Sequence, residues 1–114
     1  MSPAHHEETF SFRFTQLSET EVQRLRANYP LIEIEVRQWK DNEHHFVAAI
    51  DLTEDLDLEP LYGFIEATSA KPEDYSVWIS LRTSSDHDGL SLPPYVLELI
   101  RRIKVRIDFS FVVI

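Results

Sequence analysis

Carboxylates are the residues of this chain best suited to chemistry, and four of them have the spacing of a calcium-binding loop. If Asp55 is the first position of an EF-hand, carboxylates fall at the first, third, fifth and twelfth positions, which are Asp55, Asp57, Glu59 and Glu66. The sixth position of such a loop needs glycine, but here it is Pro60, whose φ angle is fixed at a negative value. We therefore interpret the spacing as coincidental and predict no metal ligand in this segment.

The histidines give a second candidate for a metal site. His5-His6 and His44-His45 are adjacent pairs, and adjacent residues of a strand point to opposite faces, so such a pair rarely binds one ion. The i, i+4 spacing of helical zinc ligands is absent. A contribution of His44, His45 or His87 to a site assembled in space stays open, and no cofactor is predicted.

The loop Ser84–Gly89 contains the serine, histidine and aspartate of a hydrolase triad. Triad geometry is created in space rather than by sequence neighbours, and the same residues are good turn formers. The chain has no glycine-rich phosphate loop and no nucleophile elbow. It also has no cysteine, which excludes a thiol nucleophile and thiolate zinc sites. We predict a protein that is not an enzyme and has no catalytic residue.

Negative charge is concentrated in residues 41–74, which we call the acidic segment. It holds ten carboxylates against one cation, Lys71, while the rest of the chain is balanced; the net charge is −9. The carboxylates are Asp41, Glu43, Asp51, Glu54, Asp55, Asp57, Glu59, Glu66, Glu73 and Asp74. Such a segment either keeps a small domain soluble or attracts a basic partner, and its segregation along the chain favours the partner.

The main basic cluster is Arg101, Arg102, Lys104 and Arg106. It is short and close to Asp108, so we expect intramolecular ion pairs with outward carboxylates such as Glu33 and Glu35. The acidic balance disfavours nucleic acid as a partner, because phosphates require a cationic face.

Length and composition indicate one domain. The chain has 114 residues, of which 43% are hydrophobic and 27% charged. Its first residues lack the basic and apolar stretches of a signal peptide, and no apolar run approaches the roughly 20 residues of a membrane helix. We expect a cytoplasmic protein without a membrane partner.

Periodicity predicts the element order β-α-β-β-α-β-α-β. Alternating Phe10, Phe12 and Phe14 indicate the first strand, and Ser18 with Glu21 forms a capping box for a helix that Pro30 ends. The further elements are a strand at 32–37, a hairpin turn at 40–43, a central strand at 46–52, a helix from Pro60 to about Ser69, a strand at 75–83, a helix with Ser91 as candidate N-cap, and a strand from Val105 onward.

This order predicts an α+β fold with a mainly antiparallel sheet. The first six elements match a ferredoxin-like core, to which a helix and a C-terminal strand are appended. A mixed sheet with another strand order is the alternative. Residues 1–9 are expected to be a flexible arm and residues 10–114 the domain. The last strand, ending in Phe111 to Ile114, is so apolar that it must lie inside the sheet or be covered by a partner.

The segments Trp78-Ile79-Ser80-Leu81-Arg82, Leu99 to Ile103 and Asp108 to Ile114 give this chain a class-level resemblance to small bacterial immunity proteins. Those proteins are paired with polymorphic or contact-dependent toxins. The resemblance implies a cytosolic inhibitor that binds a cognate toxin, often a basic nuclease, and blocks its active site.

These observations lead to two hypotheses of function. The first is a non-enzymatic module that binds a basic cognate protein, such as a toxin domain. Its predicted partner-binding residues are Asp51, Glu54, Asp55, Asp57, Glu59, Tyr62 and Glu66. The second is a structural or assembly domain that forms homo-oligomers, with the acidity serving solubility. The sequence leaves the choice between monomer and homodimer open.

Overall fold

A computed structural model describes residues 6–40, 44–68, 71–83 and 91–113. Within these ranges the chain folds as five strands and three α-helices in the predicted order. The strands are β1 (His6–Leu17), β2 (Glu35–Gln38), β3 (Phe46–Asp51), β4 (Tyr75–Thr83) and β5 (Arg106–Val113); the helices are α1 (Glu19–Asn28), α2 (Glu59–Thr68) and α3 (Pro94–Ile103). In these described parts of the chain, no helix is both long and apolar enough to cross a membrane.

The strands form one sheet in the order β2-β3-β1-β4-β5. The pairs β2/β3, β3/β1 and β1/β4 are antiparallel. Only β4 and β5 are parallel, because α3 carries the chain back to the end of the sheet where β4 began. The prediction of an α+β domain with a mainly antiparallel sheet is confirmed.

The phenylalanines of β1 form the centre of the core. Phe12 and Phe14 are 0% and 1% exposed. The Phe14 ring meets the rings of Phe12 and Phe64 edge-on, each with a centroid distance of 5.1 Å, and Phe12 stacks on Tyr75. Phe64 belongs to α2, so these contacts fix the side of the sheet that the helices cover. We call this side the helical face and the other side, which carries Arg13, the open face.

The ends of the helices follow from local capping. Ser18 Oγ accepts a hydrogen bond from Glu21 N at 3.1 Å, and Glu21 Oε1 accepts one from Ser18 N at 2.9 Å, so the predicted capping box is confirmed. The prediction of Ser91 as N-cap of α3 is wrong, because the N-cap is Pro93. Leu92 and Pro93 each precede a proline, which disfavours helical backbone angles and delays the helix until Pro94.

Strand boundaries differ from the prediction in two places. β1 begins at His6, which pairs with Thr83, so residues 6–9 belong to the strand, and residues 1–5 lie outside the described residues. β2 begins at Glu35 instead of residue 32, and Ile32 is 40% exposed rather than inward. β1 gains residues 6–9 by pairing with β4, which is distant in sequence, whereas β2 pairs with the nearby β3. Residues 41–43 of the predicted hairpin turn also lie outside the described residues.

Replacing Phe14 with alanine tests the aromatic centre of the core. We expect Phe14→Ala to lower the free energy of unfolding by about 3–5 kcal/mol, because the ring contacts are lost and a cavity is left. Urea unfolding measures the change. As a control, Leu31→Ala at a 95% exposed position should change it by less than about 0.5 kcal/mol. Equal losses in the two variants would contradict the assignment of this centre.

Candidate functional site

Asp51, at the end of β3, connects two hollows lined by carboxylates. Glu33, Glu35 and Ala49 line the first hollow together with Asp51. The lining of the second is Glu8, Thr9, Phe10, Asp51, Leu52, Thr53, Glu54 and Tyr95. Among the described residues, no Lys or Arg lines either hollow. We call Glu8, Glu33, Glu35, Asp51 and Glu54 the acidic surface.

Sheet pairing explains why distant carboxylates meet at Asp51. β2 pairs with β3 so that Glu35 lies opposite Ala49, two residues before Asp51. β1 pairs with β3 on its other side, with Ser11 opposite Asp51. Sequence reasoning found Asp51 and Glu54 but missed Glu8, Glu33 and Glu35. The hairpin that joins β2 to β3 was predicted, but the register that brings Glu35 close to Asp51 was not.

Backbone contacts of residues 52–58 hold Glu54 and Asp55 outward. Leu52 and Leu56 are buried in the core, and the amide of Leu52 donates to the carbonyl of Phe10 at 2.8 Å. Leu56 N donates to Thr53 O at 3.2 Å and closes a turn around Glu54 and Asp55. Both carboxylates are exposed, so this part of the predicted site is available to a partner.

Asp57 and Glu59 have structural contacts within the chain. Asp57 Oδ1 accepts a hydrogen bond from Glu59 N at 3.1 Å, which satisfies a free amide at the start of α2. Glu59 Oε1 lies 3.0 Å from Arg102 Nη1 of α3. These two predicted partner-binding residues therefore also connect α2 to its surroundings. Glu66 is exposed on the same side of α2, about 10 Å along the helix from Glu59.

Tyr62 is not an exposed anchor. It is 9% exposed, and the Arg102 guanidinium lies 3.9 Å from its ring centroid and covers it. Burial raises the pKa of its hydroxyl, and the nearby Arg102 charge opposes this effect. Tyr75, a second aromatic residue near the acidic segment, is also buried, at 4% exposure. Neither Tyr62 nor Tyr75 therefore offers an exposed anchor to a partner.

The basic cluster forms intramolecular ion pairs, but its partners differ from those expected. Arg102 pairs with Glu59, and Arg106 pairs with Asp108 at 3.3 Å. Glu35 instead pairs with Arg37 on its own strand, at 2.7 Å. The expected pairing failed because β2 and β5 lie at opposite edges of the sheet.

The acidic surface is bounded on the open face by a third hollow, which is basic. Its lining is Arg13, Glu35, Arg37, Gln38, Trp39, Lys40, Val47 and Ala49. The Arg13 guanidinium lies 4.2 Å from the ring centroid of Trp78, and Trp39 Nε1 donates to Thr15 O at 2.6 Å. Positive charge on this face is therefore adjacent to the acidic surface. Glu35 lines both the basic hollow and the first acidic hollow.

The acidic segment does not form one patch. Asp74 lies beside Thr15, whose Oγ1 donates to its carbonyl at 3.1 Å, whereas Asp51 lies opposite Ser11. Four residues of β1 separate these points, which is about 13 Å. Asp41 and Glu43 lie outside the described residues. The charge is thus divided between the middle of β1, near Ser11, and its C-terminal end, near Thr15.

No metal site is seen in the part of the chain that the structure describes. No group of three or more His, Asp and Glu side chains there is arranged to hold an ion. His87 and the loop Ser84–Gly89 lie outside the described residues, as does His5.

Neither a scan against protein-family models nor a search of curated protein sequences gives a match for this chain. Its function must therefore be inferred from the chemistry of its surface.

Replacing Tyr29 with phenylalanine tests how residues 52–58 are held. Tyr29 OH donates to the carbonyl of Asp57 at 2.7 Å, and burial, with a smaller effect of Asp57, raises the Tyr29 pKa from 10.0 to about 12. We expect Tyr29→Phe to lower the free energy of unfolding by about 1 kcal/mol at neutral pH.

The same variant should change the response to high pH. In wild type, unfolded Tyr29 loses its proton near pH 10, whereas folded Tyr29 keeps it to about pH 12. The stability that Tyr29 contributes is therefore complete below pH 10 and declines between pH 10 and 12. Tyr29→Phe should lose less stability over this window, as measured by urea unfolding. A Tyr95→Phe control accounts for the loss of one tyrosine, and identical pH dependence in all three proteins would contradict the assignment.

Proposed function

We propose that this chain is a non-enzymatic protein-binding module that neutralises a basic partner in the cytoplasm, as an immunity protein neutralises its toxin. The observation that carries the proposal is the position of Asp51, which joins two adjacent hollows lined by carboxylates and, among the described residues, by no cation. Concave surfaces of one charge focus the electric field and attract side chains of opposite charge.

The physical basis of this binding is relief of like-charge repulsion. Glu33, Glu35 and Asp51 line one hollow, where Arg37 pairs with Glu35. Lys or Arg side chains of a partner would pair with these groups and be partly removed from water. Such pairing accelerates association and makes it sensitive to salt.

The contacts divide the predicted partner-binding residues into two groups. Asp51, Glu54 and Asp55 are exposed and are the residues we assign to direct contact with the partner. Asp57 and Glu59 also support the fold, and Tyr62 lies beneath Arg102. Glu66, farther along α2, would extend the contact of a large partner.

The proposal includes a finer description of the fold. We assign β1-α1-β2-β3-α2-β4 to a ferredoxin-like unit, to which α3 and β5 are appended. The strand order β2-β3-β1-β4 and the antiparallel direction of each neighbouring pair support this assignment. In such a unit the helices lie on one face, which leaves the open face beside the acidic surface accessible.

The alternative function, an assembly domain, is supported by a different observation. β5 has an exposed apolar edge, whereas the acidic surface lies mainly on β2 and β3 and in the turn after β3. Assembly through β5 and binding of a basic partner use different parts of the molecule and are compatible.

Charge reversal at the acidic surface tests the proposed function. The partner to use is the product of a neighbouring reading frame with a basic C-terminal domain, titrated calorimetrically with this protein. We expect Asp51→Lys combined with Glu54→Lys to weaken binding by about a hundredfold at low salt, because two favourable charge pairs become repulsive. Wild-type binding should also weaken as salt is raised.

Two carboxylates at the other end of β1 provide a matched control. Glu19→Lys combined with Glu73→Lys changes the net charge by the same amount at exposed positions. This variant should bind within about threefold of wild type if the effect is local. Equal weakening in the two variants would show only a net-charge effect, and wild-type affinity in the Asp51 and Glu54 variant would refute the proposal. Circular dichroism verifies that both variants are folded.

A further inference from the structure

The two edges of the sheet differ in their protection against pairing. The β2 edge has four residues, including the exposed and charged Glu35 and Arg37. The β5 edge has eight residues, and from Phe109 to Val113 it contains no charge, proline or glycine. Short strands and charged side chains prevent edge-to-edge association. β5 is not short, and its part from Phe109 onward has no charged side chain.

The core surface continues onto β5 and is exposed there. Register with β4 places Ile107, Phe109, Phe111 and Val113 opposite Val77, Ile79, Leu81 and Thr83, on the helical face. These β4 residues are at most 2% exposed, whereas the β5 residues are 44%, 51%, 42% and 53% exposed. Leu97 of α3, 42% exposed, lies on the side of that helix turned away from Arg102 and α2.

We propose that a second copy of this chain covers the edge, with the two β5 strands paired antiparallel across a two-fold axis at Ser110. In this register Phe109 lies opposite Phe111 of the second copy, and Ile107 lies opposite Val113 of the second copy. Both pairs lie on the helical face, and aromatic and β-branched cross-strand pairs stabilise a sheet. The result is one ten-stranded sheet with a continuous apolar face.

The charges of β5 fit this self-pairing. Arg106 pairs with Asp108 within its own strand, so the start of each strand is neutralised. The two-fold axis at Ser110 places the Arg106 residues of the two copies eight residues apart, about 27 Å, and the Asp108 residues about 14 Å apart. Both separations exceed the screening distance of about 8 Å at physiological salt. The acidic residues of β2 and β3 lie on the far side of each copy.

Two-fold pairing also explains why association would stop at two chains. It covers both β5 edges and, among the described strands, leaves free only the two β2 edges, which are short and charged. Head-to-tail pairing of β5 with β2 would place Glu35 and Arg37 against the apolar strand and would continue without limit. A strand from a basic partner would likewise place cations among the phenylalanines. A second β5 strand therefore matches this edge best.

The mass of the purified full-length chain in solution tests the proposal. We expect sedimentation equilibrium at micromolar concentration to give twice the single-chain mass of 13.4 kDa. Phe109→Lys combined with Phe111→Lys should give the single-chain mass, because the register places lysines opposite each other. Leu31→Lys combined with Ile32→Lys alters exposed apolar residues outside β5 and should leave the dimer intact.

A cysteine reporter tests the register without disturbing the core. The chain has no cysteine, so Ser110→Cys introduces a single thiol, which should form a disulfide-linked dimer on mild oxidation. Ser80 pairs with Ser110 one strand further in, and its counterpart in the second copy would be about 14 Å away. Ser80→Cys should therefore remain unlinked.

Each contrary result would overturn the dimer. Four results would each do so: a single-chain mass at every concentration, larger open-ended assemblies, a dimer that persists in the Phe109 and Phe111 variant, or equal linking of both cysteine variants. The lysine variant at β5 should still bind the basic partner. The dimer and the proposed function can therefore fail separately.

Discussion

The alternation of phenylalanine along β1 is the constraint on which the rest of the fold depends. Phe10, Phe12 and Phe14 must share one face of a central strand, so all three helices cover that face and Arg13 points to the other. A shift of one residue in β1 would move the aromatic rings to the open face, so the register is strongly selected. That register also sets Ser11 opposite Asp51 and thereby fixes where the acidic surface lies.

Elements whose signals are local could be predicted from the sequence. The capping box of Ser18 and Glu21, the helix around Pro60 and the strand Tyr75–Thr83 all have their own periodicity or capping residues. Strand limits that depend on pairing could not, because residues 6–9 are polar and become a strand only through β4. The length of β5 follows from its own apolar alternation and was predictable. Its position at an edge depends on pairing and was not.

The residues of the candidate site divide in the same way, into those with a local sequence signal and those without one. Asp51, Glu54 and Asp55 were identified because they are close in sequence, whereas Glu8, Glu33 and Glu35 join them only through the sheet. Tyr62 was assigned to the surface because nothing near it in sequence indicates a cover. Arg102, which covers it, belongs to the third helix, and its pairing with Glu59 spans 43 residues. Strand register and contacts between helices decided the site residues that were missed or misplaced.

Segregation of charge would allow one small domain to carry both of the interaction surfaces that we propose. Carboxylates surround Asp51, and the β5 edge beyond Asp108 has no charged residue, so the two surfaces depend on different forces. Salt should weaken binding at the acidic surface through screening and should leave pairing of the apolar edge unchanged or stronger. Paired copies would also keep their acidic surfaces apart. Each acidic surface lies mainly toward the β2 edge of its sheet, whereas the copies meet at the β5 edge. Dimerisation would therefore not create the repulsion that a net charge of −9 per chain otherwise implies.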